Sequence, residues 1–200
     1  MLYKKREYFK SISEFLGRVF TKICPYPNLW TIFGIITAIA TFYFLYGQNF
    51  LIAASFFAIT AIIDVIDGAV ARRTNRATNF GAYLDTVVDR VTEFIVLSGL
   101  FFVDYPDFIF STKMWIFLVL FGFLMTTYVK AAASEKKIVK NEIRGGILER
   151  GERMILLFLI ILFSNFSLEY SAIMIAITAI FSIFTVLQRF FIALNQWAIV

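Results

Sequence analysis

Apolar runs of membrane-spanning length, separated by short polar connections, decide the class of this chain before any other feature. A transmembrane helix needs about 20 mostly apolar residues. Candidate spans run from Leu29 to Tyr46, Phe50 to Ala71, Ala82 to Val103, Met114 to Ser134 and Tyr170 to Phe191. Between the last two, Met154 to Phe163 is too short alone and is expected to begin earlier, near Gly146, with Arg150 and Arg153 inside the helix. Only 16% of the 200 residues are charged and 60% are hydrophobic, whereas a soluble domain carries about 25% charged residues. The expectation is an all-α, polytopic membrane protein: one domain over residues 1–200, with a six-helix bundle over 29–191.

The charges then orient that bundle. Lys and Arg concentrate before the first span (Lys4, Lys5, Arg6, Lys10, Arg18, Lys22), at Arg72, Arg73 and Arg76, and from Lys130 to Arg153. The stretches 47–49 and 164–169 hold none, and 104–113 holds only Lys113. The positive-inside rule therefore puts both termini and the basic loops in the cytoplasm. The net charge of +5 falls in clusters between apolar runs, which fits an anionic membrane surface and not nucleic acid. Residues 3–20 space Tyr8, Phe9, Ile12, Phe15, Leu16 and Phe20 opposite basic residues, the pattern of an amphipathic helix on the interface. No small-residue cleavage site follows it, so it is not a cleavable signal peptide. A single cysteine, Cys24, excludes an intramolecular disulfide, and the lack of histidine excludes imidazole chemistry.

Across the second and third spans the chain reads IIDVIDGAVARRTNRATNFGAYLDTVVDR. Asp64 and Asp67 are i,i+3 on one helix, and Asp85 and Asp89 are i,i+4 on the next. The short connection makes the two helices antiparallel neighbours, so the pairs meet at similar depth. Four clustered carboxylates in an apolar surround repel one another and are costly to desolvate. Divalent cations resolve both problems, and an oxygen-only donor set points to Mg²⁺, Mn²⁺ or Ca²⁺. Ion pairing with Arg72, Arg73 and Arg90 is the plainer alternative, and four acids on two facing helices weigh against it. Gly68, Ala71 and Gly81 allow close approach of helices or of a ligand, and Arg72 suits bidentate phosphate binding.

The full pattern, Asp64-x2-Asp67-Gly68-x2-Ala71-Arg72-x8-Gly81-x3-Asp85-x3-Asp89, resembles the signature of the CDP-alcohol phosphotransferases, integral membrane enzymes of phospholipid head-group synthesis. The resemblance implies a two-metal centre (Mg²⁺ or Mn²⁺) on Asp64, Asp67, Asp85 and Asp89, with Asp89 deprotonating the acceptor hydroxyl. It also implies a cytidine-diphosphate pocket from Gly68, Ala71, Arg72 and Gly81. Asn28 and Thr31, within Pro27-Asn28-x2-Thr31-x2-Gly34, resemble a second family element and would touch the nucleotide. Family likeness further implies a homodimer.

Acceptor choice falls to the second half of the chain. Thr127 and Lys130, Arg150 and Arg153, and Arg189 would all reach the aspartate face in the expected topology. A basic pocket implies an acceptor that is itself a phosphate monoester. The set resembles the branch that makes phosphatidylinositol phosphate and its archaeal counterpart, implying that these five residues grip inositol phosphate. Thr127 replaces that branch's serine, and Ala132 stands where an arginine often follows the lysine. Glycerol-3-phosphate as acceptor, or CDP-inositol as donor, are the nearest alternatives. A divalent-cation transporter could use the same acids, but it would continue its polar groups to the far side, where the spans have almost none. A structural scaffold has no use for intramembrane acids.

Overall fold

The computed structural model describes residues 6–139 and 145–197, with side chains in the first helix from Ser13 onward. Residues 3–5 of the amphipathic segment, the side chains of Tyr8, Phe9 and Ile12, and Lys140 lie outside what is described. The described residues form seven α-helices and no strand: α1 (Arg6–Ile23), α2 (Pro27–Tyr46), α3 (Phe50–Arg73), α4 (Asn79–Phe101), α5 (Thr112–Glu135), α6 (Arg150–Ser164) and α7 (Leu168–Trp197).

Four helices, α2, α3, α5 and α7, are long and apolar enough to cross a membrane by length and composition. The α2 surface carries exposed Ile32, Ile36, Ile39, Tyr43 and Tyr46 at helical spacing, a stripe that only an apolar surround accommodates. α4 spans 23 residues but carries Asp85, Asp89, Arg90 and Glu93. α6 has 15 residues, about 22 Å at 1.5 Å per residue, short of the roughly 30 Å hydrocarbon layer.

The start of α6 departs from the expectation near Gly146. The helix begins at Arg150 because Gly145 (φ +100°) and Gly146 (φ +129°) take backbone conformations closed to a right-handed helix. The Leu148 amide donates to Thr185 Oγ1 at 3.2 Å, holding the loop in that path. Arg150 is therefore the first helical residue and Arg153 lies one turn in.

Two compact units emerge. The first comprises described residues up to 44 together with 52–96. Within it, Thr60 donates to Thr37 at 2.8 Å and Thr31 donates to Asp67 at 2.8 Å. Moving six residues back on α2 thus matches moving seven forward on α3, the register of an antiparallel pair. α3 closes with Asn75 at φ 54° and a bond from the Arg76 amide to the Ala71 carbonyl at 3.1 Å, the six-to-one bond of a Schellman motif. Thr78 then accepts from the Gly81 amide at 3.0 Å, capping α4. These two caps fold a five-residue connection tightly enough to return α4 beside the acids of α3.

The second unit comprises 45–51 and described residues from 97 onward. α5 packs along α7, and α6 against α7. A β-carbon at Gly122 of α5 would collide with the Ser182 side chain of α7, so glycine sets this close approach. The α7 hydroxyls of Ser171, Thr178, Ser182 and Thr185 each donate to a carbonyl three or four residues back along the chain, and Ser171 also reaches the Ile160 carbonyl of α6 at 3.4 Å. Folding back in this way satisfies buried hydroxyls locally.

Candidate active site

The helical period of α3 puts Asp64 and Asp67 on one face, and the tight turn brings Asp85 of α4 to meet them. One carboxylate oxygen from each lies within 4.8 Å of the others. Asp67 is buried, and Asp64 and Asp85 are half-buried. Three carboxylate oxygens at this separation, with no nitrogen or sulfur donor, fit a hard divalent cation such as Mg²⁺ or Mn²⁺. Asp89, one turn beyond Asp85, is buried but falls outside this three-way group. Its carboxylate lies 3.7 Å from the Arg90 guanidinium.

Thr31 plays a part that its sequence motif did not reveal. Its hydroxyl proton goes to Asp67 Oδ2 at 2.8 Å, the shorter contact against 3.3 Å to the Pro27 carbonyl. The hydroxyl therefore holds a carboxylate in place, although the residue also lines the neighbouring cavity. That cavity, of about 170 Å³, lies in the first unit and touches Asp67 and Asp85. It gathers every residue expected to bind the donor: Asn28, Thr31, Gly68, Ala71, Arg72 and Gly81.

Steric detail explains the small residues. A β-carbon at position 81 would sit 3.2 Å from the Thr78 hydroxyl and 3.5 Å from Asn28 Oδ1, so glycine lets the starts of α2 and α4 approach. A β-carbon at position 68 would meet Arg72 Nη1 at 3.2 Å. Glycine there leaves room for the guanidinium to fold back along its own helix toward the cavity. The cavity lining thus carries both signs of charge, Arg72 and Arg76 with Asp67 and Asp85. A diphosphate carried with a divalent cation offers the complementary charges to both.

Two cavity features escaped the sequence. Arg76 also lines it, with its guanidinium donating to the Pro25 carbonyl at 3.2 Å and stacked 4.8 Å from the Tyr26 ring centre. Its spacing, one turn after Arg72, was the available signal. Ser13 of α1 accepts from Arg72 Nη2 at 2.7 Å, and Gly17, one turn on, lies close against α3, where a β-carbon would be 3.0 Å from the Ala69 carbonyl oxygen. α1 is therefore seated on α3 with a hydrogen bond to a cavity cation. Removing one such bond is worth about 1 kcal/mol, roughly fivefold in affinity. If the cavity holds the nucleotide donor that the sequence pattern implies, Ser13→Ala should raise the KM for that donor by about fivefold while leaving kcat close to the parent value, as steady-state CMP release will read.

The five residues expected to hold the acceptor phosphate lie in the second unit. Arg153 of α6 is buried, donates to the Phe123 carbonyl at 3.1 Å and stacks 5.0 Å from the Phe123 ring centre. Arg189 of α7 is buried too, donating to the Thr126 carbonyl at 2.9 Å and the Gly145 carbonyl at 3.1 Å. Two arginines from two helices thus converge on α5 carbonyls one turn apart. Thr127 and Lys130, half-buried on α5, and Arg150, half-buried at the head of α6, complete the set. The arginines hold backbone in addition to whatever else they bind, which their sequence context did not show.

Comparison with known proteins agrees with this geometry. Residues 25–187 match the CDP-alcohol phosphatidyltransferase family. The archaetidylinositol phosphate synthase of Pyrococcus horikoshii is 31% identical over 191 residues, covering 94% of each chain. The fold is that of the phosphatidylinositol phosphate synthase of Mycobacterium tuberculosis. Its CDP-DAG-bound crystal structure superposes with a TM-score of 0.78 at 24% identity, over 92% of this chain and 94% of that one. The same enzyme in complex with manganese and citrate gives 0.79 at 23% identity, over 92% and 89%. With the acid cluster, the apolar helices and the family match in agreement, this chain belongs to the CDP-alcohol phosphatidyltransferases and is a membrane-embedded transferase of phospholipid synthesis.

Proposed function

We propose that the enzyme transfers a phosphatidyl-type group, archaetidyl or diacylglyceryl, from a CDP-lipid to inositol phosphate and releases CMP. The observation that carries the donor half is the single cavity joining Asp67 and Asp85 to Arg72, Gly68 and Gly81. Asp64, Asp67 and Asp85 would hold the divalent cation, with Asp89 completing a two-ion centre. When bound, the ions neutralise the donor diphosphate and the departing CMP. Arg72, steadied by Ser13, would take the diphosphate oxygens, and Thr31 would fix Asp67 in its liganding orientation. The acceptor hydroxyl then forms a new O–P bond to the lipid-linked phosphorus as the P–O bond to CMP breaks. Its proton passes to Asp89.

Acceptor selection rests on the buried Arg153 and Arg189 with Lys130, Arg150 and Thr127, a group suited to a phosphate monoester. The synthases that resemble this chain, named for inositol phosphate products, support the same choice. α4 and α6 would complete six spans, and the basic connections would lie on the cytoplasmic side. α1 would rest on that interface, since its described part exposes apolar Phe15, Val19 and Ile23 in one stripe beside Arg18 and Lys22. A homodimer accords with the family.

The test is a purified-enzyme assay in mixed micelles, with CDP-diacylglycerol or CDP-archaeol as donor and each labelled acceptor in turn. Inositol phosphate should yield lipid product and CMP at least about tenfold faster than glycerol-3-phosphate, a margin of about 1.4 kcal/mol. Turnover of glycerol-3-phosphate without inositol phosphate sinks the acceptor assignment, and turnover of soluble CDP-inositol instead of the CDP-lipids sinks the donor assignment.

A further inference from the structure

The lining of the donor cavity runs along three helices in one direction. It steps from Thr31 back to Asn28 on α2, from Asp67 on to Arg72 on α3, and from Asp85 back to Thr78 on α4. At 1.5 Å per residue, the end of α3 at Arg73 lies roughly 9 Å beyond Asp67. Arg76 stands just past that end, in the connection to α4, and lines the cavity there. Its Nη1 donates to the Pro25 carbonyl at 3.2 Å, and its guanidinium carbon lies 4.8 Å from the Tyr26 ring centre. Among the described residues the guanidinium has no other hydrogen bond or ion pair, so most of its five N–H donors remain for a ligand. Neither Pro25 nor Tyr26 lines the cavity.

We propose that Arg76 binds the nucleoside half of the donor, with the Pro25 carbonyl and the Tyr26 ring holding its guanidinium in place. A diphosphate drawn to Asp67 and Asp85 with a divalent cation leaves the rest of the nucleotide to extend along the cavity toward the α3–α4 connection. The clasp on Pro25, six residues ahead of Thr31, aims the Arg76 head away from the acids, too far for the same diphosphate to span both. Beside it the lining is neutral and polar, from Asn28 and Thr78, and offers amide and hydroxyl groups of the kind that pair with a sugar and a base. A guanidinium with free N–H groups then donates to the acceptor atoms of the nucleoside. Arg72 and Arg76 thus divide the donor between them, the first on phosphate and the second on nucleoside.

The proposal rests on the reading of this cavity as the donor site. CMP binding by the parent protein tests that reading, and the ratio of variant to parent tests this one. With Mn²⁺ present, calorimetric titration of the purified enzyme should show CMP binding about tenfold more weakly to Arg76→Gln, the loss of hydrogen bonds from a charged donor. Pyrophosphate, which carries the phosphates without a nucleoside, should bind parent and variant within about twofold of each other. In turnover the donor KM should rise about tenfold while kcat stays within about twofold. Tyr26→Leu removes the ring beneath the guanidinium and should weaken CMP binding about two- to fivefold, the worth of an exposed cation–π contact. The same change should cost nothing further in Arg76→Gln, because Tyr26 acts through Arg76 alone. A merely structural clasp would move CMP and pyrophosphate together. Equal losses for the two ligands, parent-like CMP binding in Arg76→Gln, or multiplicative losses in the double variant overturn the proposal. A parent that binds no CMP overturns the donor reading and this proposal with it. Should Arg76→Gln fail to fold, Tyr26→Leu decides: weaker CMP binding with pyrophosphate unchanged agrees with the assignment, and parent-like CMP binding overturns it.

Discussion

Asp67→Asn should abolish tight Mn²⁺ binding and lower CMP release by about a thousandfold, the equivalent of some 4 kcal/mol of the charge stabilisation that a bound cation supplies. Asp67 is the member of the acid cluster for which this test is cleanest. It is the buried one of the three whose oxygens lie within 4.8 Å of one another, and Thr31 fixes its orientation. Asparagine has the same size and still accepts from the Thr31 hydroxyl, so packing survives and only the charge is lost. A purely structural carboxylate and a metal ligand then give opposite signs in the metal-free protein. Removing one of three mutually repelling acids relieves repulsion, so metal-free Asp67→Asn should unfold at a temperature no lower than that of the parent. Added Mn²⁺ should stabilise the parent strongly by mass action and the variant hardly at all. Undiminished Mn²⁺ affinity, read by electron paramagnetic resonance, would remove Asp67 from the ligand set.

The legibility of this site follows sequence separation. Asp64 and Asp67 are joined by the helical period, and Asp85 returns through a connection of five residues, so local arithmetic was enough to bring them together. Gly68 and Gly81 were legible as close-approach positions, and the structure supplies what approaches: the head of Arg72 and the side chains of Thr78 and Asn28. Contacts between distant positions were not legible. Thr31 meets Asp67 across 36 residues, Ser13 meets Arg72 across 59 and Arg189 meets Thr126 across 63. No periodicity encodes such pairs, because helix packing chooses them after the helices form. The same limit governed α6, whose start depends on two positive backbone angles at Gly145 and Gly146. Glycine permits those angles without requiring them.

Asp89→Asn should separate proton transfer from metal binding, two roles that the signature alone leaves superimposed on one residue. Among the described residues the tight carboxylate group is complete with Asp64, Asp67 and Asp85, and Asp89 lies outside it. Loss of the Asp89 charge should therefore leave the first Mn²⁺ equivalent bound with near-parent affinity. CMP release should nonetheless fall about 10²- to 10⁴-fold, the contribution of a positioned general base, because an amide cannot accept the acceptor's hydroxyl proton. If Mn²⁺ affinity falls in step with activity, Asp89 acts as a ligand to the first ion; if activity persists, it has no part in the reaction.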